Sequence, residues 1–117
     1  MNRHAESGRL DWLLERGTAV ALILLVVWLE PHLAALPDLP HVALSRWLEK
    51  PINLAAMVAF ICIGALHASL GLRAIAMDYI STRSLRNFAL LIARCLMVTF
   101  SILGLGSLCA LRFGAFL

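Results

Sequence analysis

Charge is what this chain has least of. Among its 117 residues only 15% are Asp, Glu, Lys or Arg, against about a quarter in an ordinary soluble domain. With 62% hydrophobic residues and a mean hydropathy of +0.88, it reads as an integral membrane protein. Other shortages narrow the function. No Gly-rich phosphate loop, internal repeat or low-complexity tail is present, and the chain is too short for a membrane domain plus a sizeable soluble one. Water-soluble chemistry must therefore belong to a partner. The three cysteines, Cys62, Cys95 and Cys109, lie within apolar runs without CxxC spacing. They read as small hydrophobes. The net charge of +3 gives no reason to invoke nucleic acid, because the basic residues sit at span ends, where topology accounts for them.

What is there is long runs of apolar residues. A helix needs about 20 residues to cross roughly 30 Å of hydrocarbon. Three segments qualify, at about 13–36, 51–76 and 86–112, which makes the chain all-α with three transmembrane helices in one membrane domain. The first is the shortest in its purely apolar part, Leu13 to Leu29, and is expected to fray around Pro31. The second opens on Pro51, a natural first-turn residue. The third is interrupted only by Arg94. A signal peptide would have a basic leader, and Glu6, Asp11 and Glu15 argue against one. An uncleaved Met1 without an Arg/Ser-rich transit segment points to a bacterial inner-membrane protein.

Orientation follows from the Lys/Arg bias. Arg3, Arg9 and Arg16 precede the first span, and Arg73, Arg83 and Arg86 flank the second loop. The first loop holds only Arg46 and Lys50, beside Glu30, Asp38 and Glu49. The N-terminus and the 73–87 loop are thus expected in the cytoplasm, with the C-terminus outside. The first loop also carries a short amphipathic stretch, Val42 to Leu48, whose Trp47 suits an interfacial anchor.

One stretch, "HASLGLRAIAMDY" at 67–79, does not read as plain membrane helix. His67 lies five residues before the end of the apolar run at Leu72, about 8 Å inside by helical rise. A polar side chain at that depth faces protein, a cavity or a cofactor. One reading is a histidine hydrogen-bonded to a neighbouring helix. The other is a ligand, since Gly64 and Gly71 share its helix face and leave clearance for a flat cofactor; the same small residues also suit close helix packing. Asp78, eleven residues on, returns to the His67 face if the helix persists, and Tyr79 follows at the rim. Singly, Tyr79 reads as a belt residue and Asp78 as a partner for Arg73 or Arg83. Together, the residues describe a redox path from the membrane interior to its surface.

This H-x-x-x-G-x(6)-D-Y pattern resembles the second span of the hydrophobic membrane anchor family of succinate dehydrogenase, respiratory complex II. The earlier "DWLLERGTAVAL" resembles the same family, which enters its first span through Arg-x-Thr-Ala. The resemblance implies that His67 is an axial ligand to the iron of haem b, that Gly71 packs against the haem, and that Tyr79 donates a hydrogen bond to ubiquinone with Asp78 beside it. It implies that Arg16 lies near the haem propionates and quinone pocket. Some family members carry a histidine six residues before that arginine, where this chain has Leu10.

A companion anchor, the cytochrome b subunit, would supply the second iron ligand, because His4, His32 and His41 lie in the tail and the outer loop. An iron–sulfur subunit and a flavoprotein subunit would supply the electrons, this chain having no cysteine ligands for clusters. On that reading the chain is a non-catalytic anchor in electron transport and the tricarboxylic acid cycle, surrounded by membrane lipid. An anchor of fumarate reductase and a non-redox assembly protein are the alternatives.

Overall fold

The computed structural model describes residues 3–37 and 40–114. Among them the chain is helical with no strand, as four helices: α1 (Arg3–Ala34), α2 (Pro40–Trp47), α3 (Pro51–Tyr79) and α4 (Arg83–Phe113). Three are long and apolar enough to cross a membrane, over Glu6–Ala34, Pro51–Tyr79 and Arg83–Phe113. Most of their large apolar side chains face outward, including Ile23, Leu24, Val27, Ile102 and Leu103. In water that surface would be prohibitive; in a bilayer it is the solvated face. The chain is a multi-pass membrane protein. Asp38, one of the outer-loop acids in the charge-bias argument, lies outside the described residues.

Pro31 does not fray α1, which continues through it to Ala34. So close to a C-terminus the missing N–H removes one bond, and the turn is reinforced from the side chains. His32 Nδ1 lies 2.6 Å from the Trp28 carbonyl, to which it donates, and the two rings stack at 4.3 Å. α3 starts on Pro51 without a side-chain cap and ends at Tyr79, where the chain becomes extended at Ile80. α4 stops at Gly114, whose left-handed conformation (φ 67°) allows its N–H to reach the Ala110 carbonyl.

α3 is the central helix. α1 packs along one side of it and α4 along another, while α1 and α4 share no substantial interface. Among the α1 residues that lose surface, Asp11, Glu15, Thr18, Leu22, Leu25 and Leu29 recur at alternating steps of four and three. That is the seam of a left-handed helix pair. Across the α3–α4 contact the backbone of Gly104 lies against Ile61, where an added Cβ would meet Ile61 Cδ1 at 3.2 Å.

The small hydrophobic core forms at the end that carries α2, from Leu48, Ile61 and Leu108, with Leu44, Trp47, Leu54, Met57, Leu105 and Leu111 around it. α2 is pinned there by Ser45 Oγ, which donates to the Leu111 carbonyl at 2.7 Å. Asn53 Nδ2 donates to the Trp47 carbonyl at the same distance. Trp47 is therefore half-buried in the fold and near Trp28 (6.5 Å between rings), rather than free in the interface. Cys62, Cys95 and Cys109 are all exposed on their helices.

Candidate functional site

The α1–α3 seam brings one polar pair together within the span. Thr18, 8% exposed, places Oγ1 2.9 Å from His67 Nδ1. Which group donates follows from the rest of the hydroxyl's surroundings. Thr18 Oγ1 also lies 2.7 Å from the Leu14 carbonyl and 3.1 Å from the Glu15 carbonyl, both of which only accept. With its single proton directed to them, its lone pair can receive Nδ1–H of His67. In that tautomer the proton is on Nδ1 and Nε2 keeps its lone pair. A hydrogen bond that holds the ring and frees the other nitrogen is the usual support of a metal-ligating histidine. The two readings of His67, bonded to a neighbouring helix or ligating, are thus compatible in one side chain.

The glycines divide. A Cβ on Gly64 would touch Leu22 Cδ2 at 3.9 Å, so this glycine lies against α1 and belongs to the helix contact. At Gly71, one turn beyond His67, an added Cβ meets nothing within 4 Å. The half-buried His67 thus has packed helix on one side and open space on the next turn. These residues fit a flat group bound through an iron.

α3 persists unbroken to Tyr79, so Asp78 does stand on the His67 face, about 16 Å farther along the axis. Asp78 is exposed, and Tyr79, at 83%, is among the most exposed large side chains of the chain. Neither is engaged by another described residue. The pairing with Arg73 anticipated for Asp78 is not made: Arg73 Nη1 instead approaches Asp11 Oδ2 on α1, at 3.7 Å.

Arg16 is not brought to His67. It is exposed and lies over the Trp12 ring, with its guanidinium carbon 5.8 Å from the centroid. By helical rotation its position is about 130° round α1 from the Thr18 seam. The α1 residue that meets His67 is Thr18, two places on in the same Arg-x-Thr-Ala stretch. Its signal in the sequence was a hydroxyl at the step of four and three set by Asp11, Glu15, Leu22 and Leu25.

Residues 2–104 match the family model described as succinate dehydrogenase/fumarate reductase transmembrane subunit. The succinate dehydrogenase hydrophobic membrane anchor subunit of Rickettsia conorii is 36% identical over 91 residues, covering 77% of this chain and 72% of that one. Its counterpart in Rickettsia felis is 34% identical over 89 residues, 75% and 73% of the two chains. That of Rickettsia bellii is 40% identical over 84 residues, 71% and 66%. No solved structure matches the chain.

Proposed function

Since the chain belongs to the succinate dehydrogenase/fumarate reductase transmembrane subunit family, as a non-catalytic membrane anchor, we propose that it holds one axial position of a haem b and one side of a ubiquinone site in a bacterial inner membrane. The observation that carries this reading is the Thr18–His67 hydrogen bond, which leaves Nε2 of a membrane-embedded imidazole with its lone pair free.

His67 would hold the iron through Nε2, with Thr18 orienting the ring and the open space at Gly71 admitting the edge of the macrocycle. Bound there, haem b supplies a one-electron redox centre. Among the described residues no group of three or more His, Cys, Asp or Glu comes together, and His67 is the residue proposed here for the iron. The companion anchor would supply any second ligand to the iron. An iron–sulfur subunit and a flavoprotein subunit would deliver electrons from succinate at the cytoplasmic face.

On this reading Tyr79 and Asp78 would lie where such a delivery ends. Tyr79 can donate its phenolic O–H to a quinone carbonyl, a bond that strengthens as negative charge grows on that oxygen. The exposure of Tyr79 supports a surface that a second polypeptide completes. Asp78 precedes Tyr79 on the same helix end and is exposed, where water could reach it and supply protons. Arg16, on the flank of α1, would face the propionates or the quinone only from the side that the companion anchor covers. A reduced-minus-oxidised visible spectrum of the purified complex tests the reading: a b-type α-band that disappears in His67→Ala supports it, and a band unchanged in that variant removes His67 as a ligand.

A further inference from the structure

A cleft of about 490 Å³ lies between α3 and α4 near their shared end, lined by Ser69, Leu70, Arg73, Leu90, Ala93 and Arg94. Its position separates it from the haem and quinone residues, none of which lines it. Arg94 is the unusual member. It stands eleven residues into α4, within the apolar run, and no hydrogen bond or ion pair from another described residue engages it. A guanidinium at that depth without a counter-charge is costly, and such residues reach for the headgroup boundary or for an anion.

Both arginines line the one cleft, Arg73 from α3 and Arg94 from the antiparallel α4. No carboxylate lines it, and Arg73 spends on Asp11 only a long contact between side chains that remain 60% and 45% exposed. That contact holds little of its charge. Leu70, Leu90 and Ala93 make the rest of the wall apolar.

We infer that this cleft binds the phosphodiester of an anionic phospholipid, held by Arg73 and Arg94 with Ser69 as a neutral donor, its acyl chains against Leu70 and Leu90. Charge complementarity decides the occupant: two cations beside an apolar wall at one membrane face match a phosphate joined to hydrocarbon, the pattern by which basic pockets between spans take acidic lipids. The guanidinium forks suit phosphate oxygens. The inference requires the three-span membrane fold and not the haem or quinone roles.

The test is native mass spectrometry of the protein purified from membranes with its associated subunits, delipidated and offered phosphatidylglycerol, phosphatidylcholine or inorganic phosphate. The expected result is retention of phosphatidylglycerol roughly tenfold more strongly than phosphatidylcholine, whose phosphodiester is the same but whose quaternary ammonium sets a third cation beside the two arginines. Phosphatidylglycerol should also raise Tm, and inorganic phosphate should not. The Arg73→Gln/Arg94→Gln variant should lose both effects, while Arg94→Lys keeps part of them. Equal retention of the two lipids by the unaltered protein overturns the inference, even if the double variant does not accumulate. So does undiminished phosphatidylglycerol in the double variant. Loss of an associated polypeptide with lipid unchanged would assign the arginines to a protein contact and equally overturn it.

Discussion

His67 Nδ1 on α3 and Thr18 Oγ1 on α1 share a hydrogen bond across 2.9 Å, and the Thr18 hydroxyl also lies 2.7 Å from the Leu14 carbonyl, to which it can donate. The chain of hydrogen bonds ends on backbone, which orients the imidazole. Removing the hydroxyl should therefore disturb the site without touching a ligand. In Thr18→Val, haem affinity is expected to fall about 10–100-fold, the usual cost of a lost outer-shell partner. Thr18→Ser should restore most of it. The check is haem content by pyridine haemochrome against protein concentration; full content in Thr18→Val would make the bond incidental to haem.

The open turn at Gly71 gives a second handle on the same pocket. Gly71→Leu should obstruct a macrocycle while leaving His67 and its bond intact, and His67→Ala should remove the ligand while leaving the space. Both are expected to lower or abolish the b-type band, and both should leave the helices assembled. Wild-type spectra in both would place any haem elsewhere.

Tyr79→Phe removes only a hydroxyl from an exposed ring. A hydrogen bond that gains charge in the transition state is worth about 1–3 kcal/mol. The expected result is a fall of roughly 5- to 150-fold in quinone reduction, with succinate oxidation by an artificial acceptor nearly unchanged. Asp78→Asn should do less. Quinone reduction at the wild-type rate in Tyr79→Phe would return the tyrosine to the role of a belt residue.

The arginine bias sets the sides. Reporter fusions after Arg83 should behave as cytoplasmic and fusions after Leu117 as periplasmic. The reverse pattern would put Tyr79 on the wrong side for a cytoplasmic dehydrogenase.

Packing between α3 and α4 depends on the close approach at Gly104, 3.2 Å from an added Cβ to Ile61 Cδ1. Gly104→Leu puts a whole side chain where a Cβ alone is already tight against Ile61 and should cost about 1–3 kcal/mol. A lowered Tm in detergent, with little change for Gly106→Ala on an open face, is the expected pair of results.

The spans were legible because hydropathy alone picks them out, and Asp78 could be set on the His67 face because nothing in residues 67–79 breaks a helix. The pairing of Thr18 with His67 was not. In a soluble helix the apolar stripe marks the packed face, but α1 is apolar toward lipid as well, so Leu24 and Leu25 look alike although only Leu25 is half-buried. The register between α1 and α3 decides which polar groups meet, and the single-chain pattern does not encode it openly. The same register gave Arg73 to Asp11 rather than to Asp78. Pro31 misled for a different reason: proximity to a helix end makes a missing donor cheap, and His32 supplies a side-chain bond on the same turn.

The central place of α3 has a consequence for how the chain is made. α1 emerges from the ribosome first and packs chiefly on α3 along its seam, which is synthesised only after the first loop and α2. In the interval it crosses the bilayer alone, a stage that membrane helices tolerate before they associate. Thr18 then faces hydrocarbon, but its proton already rests on Leu14 of its own helix. The residue that will later receive His67 can thus wait in lipid with its donor satisfied, and the arrival of α3 adds a bond without breaking one.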